Sequence, residues 1–259
     1  MKALIKLGGT LLDGRDSRDA LAAQIAGARE AGVEAVVVHG GGKQMTRYLT
    51  ERGVESRFVN GLRVTTPQTV DALLKVFAGS VNHELVASLN RAGAKAVGLS
   101  GIDAFLMEAE QMDPELGAVG RVTKSNPELL HVLTAAGYVP VVACVAGDRC
   151  GNIYNVNADQ MAVACAAAYG AEQLVFLTDV EGVLDGAKQV RPELTDRESE
   201  KLIADGVATG GMQAKLNAAL AALRGGVAQV RIAPGASPGI LRRVLSGEAV
   251  GTRITLERK

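Results

Sequence analysis

Aromatic residues are scarce in this sequence. Phe, Trp and Tyr together make up 3% of the 259 residues, and tryptophan is absent. Proteins that bind single-stranded nucleic acid stack the bases on aromatic side chains, so this composition disfavours that function. The charges also balance, with 28 Lys and Arg against 28 Asp and Glu. The chain therefore lacks the broad basic surface that attracts nucleic acid or an anionic membrane, although a local positive pocket is still allowed.

Cysteine and histidine are equally rare. The chain has three cysteines, an odd number with no Cys-x-x-Cys pair, which is typical of free thiols in a reducing compartment. The three histidines are scattered along the sequence, and no His, Cys and Asp cluster has the spacing of zinc ligands. We therefore predict no metal-binding residues. Any metal is expected to arrive with a ligand, as magnesium does with nucleotides.

Long hydrophobic runs are missing too. No stretch of about 18 apolar residues occurs, so we expect no transmembrane helix. The N-terminal segment MKALIKLGGTLL has too short an apolar run for a signal peptide. The sequence therefore predicts a cytoplasmic protein without a membrane partner.

What the sequence does contain is a regular alternation of apolar strands and amphipathic helices. Predicted strands lie at about residues 3–7, 35–39, 94–99, 138–143, 173–178, 227–232 and 252–256, and the first three are predicted to be buried. Predicted helices lie at about residues 16–31, 43–52, 67–92, 158–169, 195–205, 210–223 and 238–246, while residues 104–125 lack helical periodicity and are expected to form hairpins or a lid. This alternation predicts an α/β protein whose mainly parallel sheet is sandwiched between helices in three layers.

Glycine-rich turns follow several of the predicted strands. They occupy residues 8–9, 40–42 and 178–182, and a polar turn at residues 155–159 enters a helix. Ligands of open parallel sheets bind at the carboxyl ends of the strands, so we expect these turns to converge on one edge. Lys6 interrupts an otherwise apolar strand, and burying its charge is costly, so its side chain is expected in a polar cleft there.

A second lysine lies in the segment TGGMQAKLNAAL at residues 209–220. Two glycines open a helix, and Lys215 lies one turn inside it, off the apolar stripe of Met212, Leu216 and Leu220. A cation in the first turn opposes the helix dipole, which makes sense where an anion shares the site. Free amides, glycines and a lysine together suit a phosphate, with Asp159 predicted to pair with the lysines. A solvated lysine on a surface helix is the alternative.

Two other functions fit parts of the sequence. HGGG at residues 39–42 matches the oxyanion loop of some esterases, and GASPG at 235–239 matches the motif around their nucleophile. However, Pro238 has no N–H for the oxyanion, and no histidine follows His131 to complete the triad. An esterase is therefore disfavoured. A non-catalytic nucleotide-binding protein stays open, because glycine turns bind phosphate without reacting with it.

Six segments together carry a family resemblance, in the order KLGG at 6–9, HGGG at 39–42, GLRVT at 61–65, NVNADQ at 155–160, TDVEGVL at 178–184 and TGGMQAKLNAAL at 209–220. They resemble the amino acid kinase family over essentially the whole chain. Within that family they are similar to kinases of arginine biosynthesis. The resemblance implies transfer of the ATP γ-phosphate to the side-chain carboxylate of N-acetyl-L-glutamate, which yields an acyl phosphate.

The resemblance also assigns roles by motif position. Lys6 and Lys215 would stabilise the transferring phosphoryl group, and Asp159 would orient them. The acceptor would be bound by Gly41, Gly42, Arg63 and Asn155, with Arg63 on its α-carboxylate. The nucleotide, ATP carrying Mg²⁺, would be bound by Gly8, Gly9, Thr178, Asp179, Gly182, Leu184, Thr209, Gly210 and Gly211. The acceptor-binding lobe would span about residues 1–170, and the nucleotide-binding lobe about residues 171–259.

Two departures from the family pattern affect the finer expectations. Residues 98–104 read GLSGIDA where many relatives have GLSGKDG, which leaves the acceptor fit open. The chain also starts at its first strand, without the N-terminal helix of arginine-inhibited hexamers, so we expect a homodimer that arginine does not inhibit. A kinase of acetylated or carrier-linked aminoadipate, in lysine biosynthesis, is the nearest alternative. One methylene separates the two acceptors, which a pocket distinguishes by only about 1–3 kcal/mol.

Overall fold

The structure, a computed structural model, describes residues 1–257. Within this range the strands are β1 (Lys2–Leu7), β2 (Glu34–His39), β3 (Phe58–Val59), β4 (Leu62–Arg63), β5 (Ala96–Ser100), β6 (Met107–Gln111), β7 (Val119–Ser125), β8 (Val139–Ala143), β9 (Val145–Gly147), β10 (Ile153–Val156), β11 (Gln173–Thr178), β12 (Glu193–Thr195), β13 (Gln229–Pro234) and β14 (Thr252–Thr255). The helices are α1 (Arg15–Glu30), α2 (Gly42–Thr50), α3 (Pro67–Leu73), α4 (Asn82–Arg91), α5 (Glu128–Ala135), α6 (Ala158–Tyr169), α7 (Asp196–Ala204), α8 (Gly210–Arg224) and α9 (Ile240–Leu245).

One eight-stranded sheet organises the fold. Its strand order is β12-β14-β13-β11-β1-β2-β8-β5, and only the β13–β14 pair is antiparallel. Helix α1 packs against α4 and α9, while α6 packs against α8, and the two groups cover opposite faces of the sheet. Strands β1, β2 and β11 are buried almost throughout because helices cover both faces. The predicted α/β fold with a mainly parallel, helix-covered sheet is confirmed.

The prediction of a buried strand at 94–99 is wrong in its burial. The strand exists as β5, but among residues 1–257 it forms one edge of the sheet and pairs only with β8. Val97 and Leu99 are half-exposed and Gly98 is exposed. An apolar run therefore identified the strand, but its place at the sheet edge was set by topology.

A small closed barrel of β10, β7, β6 and β9 stands beside the main sheet. The expected hairpin in residues 104–125 is present as the antiparallel pair β6 and β7. Strands β9 and β10 are short and were not predicted. Strand β10 leads almost directly into α6, so the barrel fixes the start of the helix that carries Asp159.

Residues Leu74–Val81 form a π-helical segment between α3 and α4. The predicted helix at 67–92 is therefore continuous but locally widened. A π-helical insertion rotates the side chains that follow it, and such segments are frequent at functional sites. Here the segment places Phe77 and Val81 directly against the glycine turn that follows β2.

Candidate active site

The carboxyl ends of β1, β2 and β11 open onto a cavity of about 660 Å³. As the sequence predicts, the glycine turns at residues 8–9 and 40–42 and the start of the 178–182 turn meet there. The cavity is lined by Lys6, Gly8, Gly9, Thr10, Gly42, Lys43, Thr46, Arg47, Phe58, Arg63, Thr178, Asp179 and Lys215. Five of these side chains are basic, so the cavity is a local positive site on a chain with no net charge.

A carboxylate holds two lysines at this cavity. Lys6 Nζ lies 2.7 Å from Asp159 Oδ1, and Lys215 Nζ lies 3.9 Å from Asp159 Oδ2. The exposed fraction of the side chain is 9% for Lys6, 13% for Asp159 and 20% for Lys215. Lys6 comes from the end of β1, Asp159 from the first turn of α6 and Lys215 from α8. The predicted pairing of Asp159 with both lysines is therefore present in the structure.

Arg63 is buried at the boundary between this cavity and a smaller one. Its guanidinium donates to Gly42 O (3.1 Å) and Thr46 Oγ1 (2.8 Å), and it also donates to Ser56 Oγ. The Phe58 ring lies 4.6 Å from it. Burial lowers the pKa of Arg63, and within residues 1–257 it has no ion-pair partner. A fixed guanidinium without a carboxylate is suited to an anionic ligand.

The smaller cavity, of about 160 Å³, lies between the glycine turn after β2 and the start of α6. It is lined by Gly40, Gly41, Gly42, Phe58, Gly61, Leu62, Arg63, Phe77, Val119, Cys144, Asn155, Val156, Asn157 and Ala158. Asn155 Nδ2 donates to Thr65 Oγ1 at 3.1 Å, which orients its amide. All four predicted acceptor-binding residues are therefore brought together around this cavity.

Two glycines of this turn, Gly41 and Gly42, have different roles. A Cβ on Gly41 would lie 2.9 Å from Phe77 Cδ1, so this position has no room for a side chain. A Cβ on Gly42 would meet nothing within 4 Å, because Gly42 faces open space. Gly42 begins α2, and the first amides of a helix have no intrahelical acceptor. They are free to bind an anion in the cavity.

The buried His39 fixes this turn from behind. Its Nδ1 lies 2.7 Å from Gly40 O, and its Nε2 lies 2.9 Å from Asn82 Nδ2. The amide must donate to Nε2, so the proton of the neutral ring is on Nδ1. Burial lowers the pKa of His39 to about 4, and burial likewise raises the pKa of the Cys144 thiol to about 12. Both groups are therefore uncharged at neutral pH. The hydrogen bonds of His39 give it a structural role, and nothing at this turn supports the hypothesis of an esterase.

The predicted nucleotide-binding residues are only partly brought together. Gly8, Gly9, Thr178 and Asp179 line the large cavity, and Thr178 Oγ1 donates to Asp179 Oδ1 at 3.1 Å. The remaining five do not line it. A Cβ on Gly182 would lie 2.7 Å from Thr252 Oγ1, and Leu184 pairs with Val190. Thr209, Gly210 and Gly211 are exposed at the start of α8.

Sequence reasoning missed Lys43, Thr46 and Phe58. Lys43 directly follows the glycine turn, and Thr46 lies one helical turn further on. Phe58 precedes the GLRVT motif. Their closeness to recognised motifs is the signal that could have identified them.

Residues 1–257 bring together no group of three or more His, Cys, Asp or Glu side chains able to hold a metal ion. None of the helices in this part of the chain combines the length and apolar character that crossing a membrane requires.

Comparison with known proteins identifies the family of this chain. The sequence matches the amino acid kinase family over residues 1–234, so the chain belongs to this family. The resemblance based on six ordered motifs is confirmed.

Among individual proteins, acetylglutamate kinases are similar to this chain over most of its length. The chain is 76% identical over 254 residues to acetylglutamate kinase of Solibacter usitatus (strain Ellin6076), covering 98% of this chain and 99% of that protein. It is 46% identical over 234 residues to acetylglutamate kinase of Geobacillus kaustophilus (strain HTA426), covering 90% and 89% of the two chains.

Solved structures share the fold. N-acetylglutamate synthase from Neisseria gonorrhoeae, complexed with coenzyme A and N-acetyl-glutamate, superposes with a TM-score of 0.89 and 26% identity. The match covers all of this chain but only 60% of that one. Carbamate kinase from Giardia lamblia bound to AMP-PNP, at 16% identity and a TM-score of 0.76 over 99% of this chain and 98% of that one, shows the fold alone.

Proposed function

We propose that this chain is a phosphotransferase that moves the γ-phosphoryl group of ATP to the side-chain carboxylate of N-acetyl-L-glutamate, in arginine biosynthesis. The observation that carries the proposal is the pair of lysines held by Asp159 at a glycine-lined cavity. The acetylglutamate kinases at 76% and 46% identity support the choice of acceptor.

The cluster is suited to phosphoryl transfer. This chemistry needs positive charge around the moving group and accurate positioning, with little covalent help. Lys6 and Lys215 supply the charge from opposite sides of the Asp159 carboxylate, which fixes both ammonium groups before the substrate arrives. Preorganised charges of this kind do not have to reorient in the transition state. The attacking carboxylate is ionised at neutral pH, so no general base is required.

The acceptor occupies the side of the cavity formed by the first half of the chain. Arg63 binds its α-carboxylate, because that guanidinium is held rigidly and has no carboxylate partner of its own in residues 1–257. Asn155 binds beside it, and the amides of Gly41 and Gly42 receive the side-chain carboxylate. The acetyl group enters the smaller cavity, where Phe77, Val119 and Cys144 provide an apolar lining.

The nucleotide approaches from the second half of the chain. Gly8, Gly9, Thr178 and Asp179 contact its phosphates, and the segments at 182–184 and 209–211 hold the rest of it. The two proposed lobes, about 1–170 and 171–259, meet in the sheet between β1 and β11. Magnesium accompanies ATP and is held mainly by phosphate oxygens, because Mg²⁺ sites of kinases use few protein ligands.

The chain is further proposed to form a cytoplasmic homodimer. Strand β5 forms one edge of the sheet, where no other strand of the described part of the chain pairs with it, and half-exposed Val97 and Leu99 lie along that edge. Unprotected edges of this kind are suited to pairing with a second copy. Sedimentation equilibrium of the full chain tests this: a single monomeric species at micromolar concentration would refute it.

The experiment that tests the function is a coupled assay of ADP release with MgATP. Four conditions are compared: N-acetylglutamate, N-acetylaminoadipate, free glutamate and no acceptor. Turnover confined to N-acetylglutamate is the expected result. A preference for the aminoadipate derivative would keep the mechanism but change the pathway. Silence with every acceptor, from folded protein that binds ATP, would refute a kinase acting on these acids.

A further inference from the structure

A third lysine, Lys43, lines the large cavity together with Lys6 and Lys215. It is the second residue of α2, directly after the Gly42 that begins the helix. Thr46 and Arg47 line the same cavity. Residues three and four apart share one face of a helix, so the part of that face formed by these three side chains is turned towards the cavity.

The folding of α2 does not account for a lysine at this position. A cation in the first turn of a helix opposes the helix dipole and is unfavourable there. No carboxylate in residues 1–257 lies within ion-pair distance of Lys43, whereas its neighbour Arg47 pairs with Asp13 at 3.1 Å. Lys43 is also exposed, so packing does not explain it either. An anion bound in the cavity accounts for a lysine at this position.

The charges of the cavity indicate which anion this is. Asp159 already pairs with Lys6 and Lys215. Arg63 is engaged at the smaller cavity, where the proposed function places the acceptor's α-carboxylate. Lys43 adjoins Gly42, whose amide is assigned to the reacting side-chain carboxylate. During the reaction the γ-phosphoryl group leaves ATP, with ADP as the leaving group, and bonds to an oxygen of that carboxylate. The transferring phosphoryl group is therefore the anion that comes next to Lys43.

We propose that Lys43 is a third cationic catalytic residue of this site, contacting the transferring phosphoryl group from the α2 side of the cavity. The inference rests on the proposed function. Lys215, from α8, would contact the same group from the nucleotide side. Positive charge on both sides of the moving group is what phosphoryl transfer requires.

The test compares Lys43→Gln and Lys43→Arg with wild type and with Lys201→Gln. Lys201 is an exposed lysine on α7 that lines neither cavity, so its substitution makes the same change in net charge away from the site. We expect K43Q to lower kcat about tenfold, less than the loss of a fully buried donor because solvent screens this exposed charge. K43R should recover most of the loss, and K201Q should match wild type. Thermal unfolding of K43Q should occur at the wild-type temperature or above.

A binding measurement separates a transition-state role from ground-state binding. ADP with aluminium fluoride and N-acetylglutamate mimics the phosphoryl group in transfer, and its complex with K43Q should be about tenfold weaker than with wild type. ADP alone should bind both proteins equally. A K43Q kcat within threefold of K201Q, whether or not a KM rises, would overturn the inference. Because wild type is assayed first, a failure of the proposed function would show as wild-type silence instead.

Discussion

Replacing Asp159 with asparagine is the sharpest test of the cluster. The amide has nearly the shape of the carboxylate but no charge, so the change leaves Lys6 and Lys215 facing each other without an anion between them. Both lysines are mostly buried, at 9% and 20% side-chain exposure. The substitution should therefore lower the stability of the fold as well as its activity.

The distances set the magnitude. At 2.7 Å and an effective dielectric constant of about 20, the gross attraction between Lys6 and Asp159 is about 6 kcal/mol, much of which is offset by desolvation. Removing one partner of a buried pair costs 3–5 kcal/mol in general. For D159N we expect a loss of stability at the lower end of this range, about 3 kcal/mol. Lys215, 3.9 Å from the carboxylate, is partly hydrated and so loses less than a fully buried cation would. The same loss of positioning should lower kcat by about a hundredfold or more.

Urea unfolding and the coupled ADP assay measure the two effects. Asp71→Asn is the matched control, since its partner Lys75 is also held at close range, 2.6 Å, but on the surface. That control should change stability and kcat little. The double variant D159N/K6M should recover part of the lost stability, because it removes the uncompensated charge. Unchanged stability in D159N would refute the idea that this carboxylate holds two buried cations.

Three further results are expected. Lys215→Ala should lower kcat about a hundredfold while the circular dichroism spectrum stays native, because this side chain is partly exposed; an unchanged kcat would remove it from the chemistry. Gly41→Ala should raise the KM for the acceptor and destabilise the fold by about 1–3 kcal/mol, because the added Cβ would lie 2.9 Å from Phe77. Steady-state kinetics and urea unfolding measure the two effects, and an unchanged KM and stability would show that the turn moves to accommodate the methyl group. The pKa of His39 is lowered to about 4 in the fold, so stability is fully present above pH 6.5 and is lost towards pH 4, by at most about 3 kcal/mol, as the unfolded chain takes up the proton. Unfolding of His39→Gln at pH 7 and pH 4.5 should lack that component of the pH dependence, and an identical pH dependence in both proteins would contradict the assignment.

Much of the fold followed from the sequence because its signals are local. Continuous apolar runs predicted the central strands. Helical periodicity predicted α1 and α8, and an alanine-rich stretch predicted α6, all close to their observed bounds. The glycine turns marked the carboxyl ends of the strands. Six ordered motifs were specific enough to identify the family, which no single one of them was.

Elements that depend on a distant partner did not follow. Strands β3, β9, β10 and β12 are only two to four residues long, too short for a periodic pattern, and they exist because a neighbouring strand pairs with them. The burial of β5 was misjudged for a related reason. An apolar run does not say whether a strand has a neighbour on both sides.

The amino-acid sequence specifies which chemical groups the protein carries, and its glycine turns predicted that these groups lie at one edge of a parallel sheet. The distances among these groups depend on the packing of the whole fold. Lys6 and Asp159 are separated by 153 positions along the chain but by 2.7 Å in space. The tertiary structure also places Lys43 at the cavity, because the packing of α2 turns Lys43, Thr46 and Arg47 towards it. Side chains from different elements meet only when the packing of the whole sheet fixes where each element ends, and no local pattern encodes that.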